Sequence, residues 1–314
     1  MVPKSAILCD AMNIFLRHYA ANPTLNLNGE PVGGIVGTLK DLTKKIEEVS
    51  AKSVYVIWDG GGGSLKRRKI YQDYKKGHRP QNLNRYYRED CPDTKDNYTW
   101  QISILIDILY QLNLKQIFIK DCEADDVIGW ITKYREKTAT ILSSDKDYYQ
   151  LISDTVSVWS PSSSKWITKD FVKEHFYCSV NNFLFSKAIV GDPADNIDGV
   201  LGIGWKTVSK IAPLVLQDKK IEIDELFQYV EKAEKKSKAH MSLLENKDIV
   251  LRNIKLMELD IENLIADQIG KIENTLLHKG NNGNKIEFFR KLNIAGIKNI
   301  DRESIFSTFY YMGR

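Results

Sequence analysis

With 314 residues, 43% of them hydrophobic, the chain can bury a sizeable core, which excludes wholesale disorder; its length suits two ordinary domains or one large domain with an appendage. A formal net charge of +4 says little by itself about polyanionic partners. No apolar run reaches about 18 residues, so no transmembrane helix is expected, and the scattered cysteines Cys9, Cys91, Cys122 and Cys178 form no CxxC pair, which argues against zinc and against a disulfide framework.

The chain starts Met1-Val2-Pro3-Lys4 and runs straight into an apolar stretch without a secretory h-region. Together with free thiols, this predicts a reducing, cytoplasmic setting. Apolar runs predict strands over about 5–9, 53–58, 116–120, 139–143 and 155–159, and helical spacing fills 34–50, 98–112 and 124–136. Strand and helix in alternation predict a parallel sheet with helices on both faces. Residues 66–96 break that rhythm: they are basic, rich in Tyr, and too long for an ordinary connection. From 169 onward strand signals fade, and 171–177, 180–190, 207–216, 223–237, 241–251, 261–277 and 285–292 read as helices. The predicted division is therefore 1–168, an α/β domain, and 169–314, a helical region.

Nine acidic residues fall in five short clusters. Asp10 follows the first strand and Asp59 the second. Glu123, Asp125 and Asp126 follow the third, and Asp145 and Asp147 the fourth. Asp192 and Asp195 form the last cluster. In an open parallel sheet, ligands bind outside the carboxyl ends of the strands. An Asp at a helix start is ordinarily a cap, but a cap needs one acid per helix and three of these clusters offer two or three. Two carboxylates ~4 Å apart repel by roughly 4 kcal/mol at an effective dielectric of about 20. Hard divalent cations, Mg²⁺ or Mn²⁺, would supply the compensating charge. The pattern predicts a metal-dependent phosphoryl-transfer enzyme.

The string Gly199-Val200-Leu201-Gly202-Ile203-Gly204-Trp205-Lys206-Thr207 is the second signal. Gly202 and Gly204 permit backbone geometries that let amides approach phosphate, and Lys206 and Thr207 can add side-chain contacts. This is a helix–hairpin–helix pattern, which grips duplex phosphates without reading bases. It is not a Walker A loop, because the GxxxxGK[ST] spacing is absent. The third signal is the basic run: Arg67, Arg68, Lys75, Lys76 and Arg79, interleaved with Tyr71, Tyr74, Tyr86 and Tyr87. Cations of this kind neutralise phosphates, and rings stack on unpaired bases. A solvated basic face is the alternative. His18, His78 and His175 show no triad partners and read as surface or structural.

Taken together, Glu123-Ala124-Asp125-Asp126, Ser144-Asp145-Lys146-Asp147, and Gly191-Asp192-Pro193-Ala194-Asp195-Asn196-Ile197 followed by the 199–207 string resemble the 5′-nuclease family. That family includes flap endonucleases, polymerase-linked 5′ nucleases and phage ribonuclease H enzymes, and the length and tail look most similar to the phage type. Tyr74-Lys75-Lys76-Gly77 fits as well. The likeness covers roughly residues 5–215. It implies a PIN-like central parallel sheet with flanking helices, a helical arch over 66–96, and a helix–three-turn–helix motif at about 186–216. It implies two Mg²⁺ ions, with Mn²⁺ able to substitute. Asp10, Asp59, Glu123, Asp125 and Asp126 would serve one ion, and Asp145, Asp147, Asp192 and Asp195 the other. Lys75 and Arg79 would be arch cations beside the scissile phosphate, and Asp10 and Asp145 would be central to catalysis. The family arch usually reads YKxxR, whereas here Lys75, Lys76 and Arg79 share that place.

The expected function is a structure-specific 5′ nuclease cutting near single-strand/duplex junctions. Expected partners are branched or flapped duplex DNA and RNA–DNA hybrid, with a single-stranded-DNA-binding protein as a candidate; the enzyme would be a monomer with no membrane association, in the host cytoplasm if phage-encoded. The alternatives are a PIN-type ribonuclease on single-stranded RNA, whose relatives generally lack the hairpin motif, and a non-catalytic junction binder.

Overall fold

The computed structural model describes residues 5–76, 95–260, 263–278 and 282–313. The basic excursion is therefore described only up to Lys76; His78, Arg79, Tyr86, Tyr87, Cys91 and the arch expected there lie outside the described residues.

A six-stranded sheet organises the molecule, in the order β3-β2-β1-β4-β5-β6. Its strands are β1 (Ala6–Asp10), β2 (Ser53–Trp58), β3 (Lys115–Phe118), β4 (Ala139–Leu142), β5 (Val156–Ser160) and β6 (Lys165–Ile167). The first five are parallel, as the alternation predicts; β6 adds antiparallel to β5 at the edge and was not expected. Chain order runs outward from β1 through β2 to β3, then returns to the other side of β1 with β4. The switch point thus lies between β1 and β4, where ligand crevices form in open sheets.

Both faces of the sheet are covered, so the strands read as continuous apolar runs rather than alternating ones. Ala6, Leu8, Tyr55, Ile57 and Ile141 pack into one core, while Ile7, Cys9, Val54, Val56, Trp58 and Leu142 pack into the other. The second core holds α1 (Ala11–Ala21), α2 (Gly33–Glu48) and α4 (Lys95–Leu109). Helix α1 was not among the expectations. It is capped by Asp10, whose side chain accepts from Asn13 N. It lies so close to α2 that a Cβ at Gly34 would fall 2.4 Å from Phe15, and one at Gly37 would fall 2.1 Å from His18. Short α3 (Leu65–Ile70) follows β2, and α5 (Ala124–Tyr134) follows β3 on the first core's face.

Beyond β6 come α6 (Lys169–Phe176), α7 (Phe183–Val190), a small antiparallel pair β7 (Gly191–Asp192) and β8 (Ile197–Asp198), and α8 (Trp205–Ile211). Pro213 ends the helix expected to reach 216 and starts a 3-10 turn instead. Then follow α9 (Ile223–Glu231), α10 (Lys238–Glu245), α11 (Lys247–Met257), α12 (Ala266–Leu277), α13 (Lys285–Ile294) and α14 (Arg302–Tyr311). The single helix expected over 241–251 is two, broken at Asn246. The last two helices return to the N-terminal half: Phe288, Leu292, Ile305, Phe306 and Phe309 enter the α1/α2/α4 core. No helix among the described residues is long and apolar enough to cross a membrane.

Candidate active site

A pocket of about 390 Å³ opens where the parallel strands end. Asp10, Asp59, Glu123, Asp125, Asp145 and Asp195 line it, with Lys75 and Arg68 at its wall. Acids from all five clusters therefore converge, as strand-end placement requires.

The nine acids fall into two electrostatic groups. Asp10 belongs to the first. It is 9% exposed and accepts hydrogen bonds from Asn13 N, Ser143 Oγ and Tyr148 OH, each at 3.1 Å. Burial, and next the Asp59 charge, push its pKa up to about 7. Asp59 accepts from Ala124 N at 2.9 Å, at the start of α5. Asp145 accepts from Asp147 N at 2.9 Å and caps the 3-10 turn over Lys146–Leu151. Among the described residues no salt bridge links Asp10, Asp59 or Asp145 to a cation.

The second group carries cations built into the fold. Arg67, 5% exposed on α3, bonds Glu123 and donates to Asp126 at 2.9 Å and 3.1 Å and to Asp125 at 3.4 Å. Glu123 also accepts from Tyr74 OH at 3.1 Å and from Lys75 Nζ at 2.7 Å. These cations hold Glu123 below the usual carboxylate range against its burial, whereas burial dominates at Asp125 and Asp126 and raises both. On the other side, Lys187 of α7, 2% exposed, bonds Asp147 and reaches Asp192 at 2.6 Å. Burial raises Asp147 to about 7 with Lys187 acting against it, while the same ammonium carries Asp192 below its usual value. The carboxylate oxygens of Asp147, Asp192 and Asp195 lie within 4.8 Å of one another. Lys75 joins the two halves, with Asp195 at 3.9 Å from its Nζ and a backbone bond from Lys75 N to Asp195 O of 2.9 Å.

One expectation is corrected by this geometry. Arg67 and Tyr74, read as nucleic-acid contacts, are buried at 5% and 2% and face the acids, so neither presents its polar end to a polyanion. Arg68 and Lys76 remain exposed, Arg68 Nε near Tyr74 O and Lys76 on Asp73 at 2.8 Å. Asp126, Asp147 and Asp192 do not line the pocket; each is engaged by Arg67 or Lys187. Lys187, Tyr148, Ser143 and Asn263 were not singled out from sequence. Lys187 left a trace, being the lone cation in the apolar stretch Phe183-Leu184-Phe185-Ser186-Lys187-Ala188-Ile189-Val190. Arg67 stood in a run of cations, where nothing marks one as buried.

At the hairpin, Gly202 adopts φ +79°, the left-handed region that favours glycine. Val200 and Ile203 are buried while Leu201 is 92% exposed. Space is open beside Gly204, and Lys206 is exposed, with Nζ 5.1 Å from the Tyr177 ring. Thr207, half-buried, lies in the first turn of α8.

The donor set fits hard divalent cations. Oxygen-only ligands converge on one pocket, Asp10, Glu123 and Asp125 buried and Asp59 exposed, with Asp10, Asp59 and Asp145 making no salt bridge among the described residues; at Asp10 the neutral form is favoured up to about pH 7 when no cation is present.

Comparison with known proteins agrees with this geometry. The profile described as 5′-3′ exonuclease, N-terminal resolvase-like domain, matches residues 5–177, more than half of the chain. A 5′-3′ exonuclease of Aquifex aeolicus is 31% identical over 212 residues, 66% of this chain and 68% of that protein. The thermostable DNA polymerase I of Thermus thermophilus is 32% identical over 214 residues, 67% of this chain but only 24% of the polymerase. The phage T5 D15 protein, co-crystallised with metal ions, shares the fold with a TM-score of 0.65 at 20% identity, covering 92% of this chain and 99% of that one. The chain belongs to the 5′-3′ exonuclease family and is a 5′ nuclease.

Proposed function

We propose that this nuclease hydrolyses phosphodiesters near single-strand/duplex junctions, leaving a 5′-phosphate and a 3′-hydroxyl, with flapped DNA and RNA–DNA hybrid as substrates. The observation that carries the reading is the pocket itself: six carboxylates from five clusters facing one cavity, with Lys75 and Arg68 at its wall. Asp10, Asp59, Glu123, Asp125, Asp145 and Asp195 would hold two divalent ions, Mg²⁺ with Mn²⁺ as substitute. Asp126, Asp147 and Asp192 would support them from behind, or join once Lys187 or Arg67 yields. The chemistry these ions supply when bound is Lewis-acid activation of water and neutralisation of the leaving oxygen.

The chain's own groups do the rest. Lys75, held on Glu123, would meet the charge that develops on the cut phosphate. The hairpin around Gly202 and Gly204, with Lys206 beside it, would grip the duplex backbone at a distance from the pocket. Arg79 is proposed as a further arch cation. Cleavage of a labelled flap duplex and of an RNA–DNA hybrid, with and without Mg²⁺, tests the reading. Metal-dependent release of 5′-phosphorylated products from both is expected; cutting of unstructured RNA with both junction substrates left intact would overturn it.

A further inference from the structure

The family match ends at residue 177, yet the chain reaches back to the acids from much farther on. Leu256 O, at the end of α11, accepts from Arg67 Nε at 2.8 Å. Asn263 Nδ2 donates to Asp126 Oδ1 at 2.9 Å, and its backbone oxygen accepts from Lys66 Nζ at 2.7 Å. The same stretch braces the next strand end. Gln150, in the turn that begins at Asp145, donates to Met257 O at 2.9 Å and accepts from Leu259 N at 3.2 Å. Arg67 spreads one charge over three carboxylates. Its direction is set by what holds its Nε, and Asp126 is shared between Arg67 and Asn263.

We propose that residues 256–260 and Asn263 brace the acids of the metal-binding pocket from behind, with Asn263 a positioning residue that acts through Asp126. Asn263 shares Asp126 Oδ1 with one nitrogen of Arg67 and so loosens the hold of Asp126 on the fork, leaving part of its charge for Glu123 and Asp125, the two acids of this trio that line the pocket. Without that donor, Asp126 draws Arg67 toward itself, and Glu123 and Asp125 lose their aim. The idea rests on the metal-site reading above, and the experiment separates the two.

Mn²⁺ binding is measured by electron paramagnetic resonance on the full chain without DNA, beside single-turnover flap cleavage and flap affinity in EDTA. Asn263→Leu, close in volume but without a donor, should weaken Mn²⁺ binding about fivefold or more and raise the Mg²⁺ needed for half-maximal cleavage in parallel, with flap affinity within about twofold of wild type. In an Asp126→Asn background the same substitution should add almost nothing to the loss of Mn²⁺ affinity. Wild-type Mn²⁺ affinity in Asn263→Leu, or an equal loss in both backgrounds, would overturn the positioning role. Failure of the unaltered protein to bind Mn²⁺ would instead overturn the metal-site reading itself. Thermal unfolding in EDTA guards against misfolding; should Asn263→Leu not fold, Asn263→Ala, smaller and without a donor, takes its place, with the same loss of affinity expected and an unchanged one overturning the proposal.

Discussion

Two sides of the same acidic pocket are stabilised in different ways. Around β3, Glu123, Asp125 and Asp126 share the buried guanidinium of Arg67. Around β1 and β2, Asp10 and Asp59 accept hydrogen bonds, and among the described residues neither they nor Asp145 beside them makes a salt bridge. A buried charge that loses its partner is costly, whereas burial pushes an unpartnered Asp10 toward its neutral form until an ion arrives from solvent. The first arrangement keeps the wall folded at all times. The second leaves a demand for charge that a divalent ion can meet.

Removing a charge from each side should have opposite consequences, and the sharpest break comes at Asp145. Asp145→Asn should reduce single-turnover cleavage by roughly 10³-fold or more, the scale of losing electrostatic support at the reacting phosphate, while unfolding in EDTA shows equal or greater stability. Junction binding should survive, because carboxylate repulsion of DNA falls. A folded variant that loses binding and cleavage together would show that Asp145 serves binding rather than metal.

Arg67→Met should do the reverse and strike stability first. Buried Asp125 and Asp126 would be left without a cation and Glu123 with Lys75 alone, a loss of about 3–5 kcal/mol on the scale of breaking a buried ion pair. Urea unfolding in EDTA measures it, and added Mg²⁺ should recover part of the loss. Wild-type stability in EDTA would mean the acids need no built-in cation.

Lys75 touches both sides, contacting Glu123 and lying near Asp195. It also adopts φ +50°, a left-handed conformation uncommon for lysine, with its backbone NH bonded to Asp195 O. Lys75→Ala should slow single-turnover cleavage by ~10²-fold with little change in duplex affinity. A normal rate would make Lys75 a structural pin of the Glu123 side.

The smallest expected effect is on pH dependence. Asp10 has a folded-state pKa of about 7, above its ordinary 3.8. The folded state therefore binds the extra proton between those values, and this group's contribution to stability is lost as pH rises from about 4 to about 7. Glu123 and Asp192 are shifted downward, and they contribute in the opposite sense only below the ordinary carboxylate range. In EDTA the melting temperature should fall between pH 5.5 and pH 8, and Mg²⁺ should raise it more at pH 8. Equal Mg²⁺ shifts at both pH values would show that Asp10 is not among the groups the ion deprotonates.

The parallel order of the first five strands and the convergence of five acid clusters were legible because both are local patterns. A strand's apolar run and the acid that ends it are neighbours in the chain. Helix α1 was missed although Asp10 caps it, because the places of Phe15 and His18 take their meaning from Gly34 and Gly37 of α2, some 20 residues on. The return of α13 and α14 to the N-terminal core was missed for the same reason, over a far longer separation.

Residue type and spacing alone were enough to specify an α/β sheet with carboxylates at its strand ends, a glycine hairpin and an oxygen-ligand metal chemistry. Tertiary packing decided which acids keep a cation of their own. It turned Arg67 and Tyr74 inward from a run that reads as solvent-facing, set Lys187 between Asp147 and Asp192, and brought Asn263 to Asp126. A basic residue's sign is written in the chain, but its partner is chosen by burial, since only when water is excluded does one carboxylate outcompete solvent for its charge.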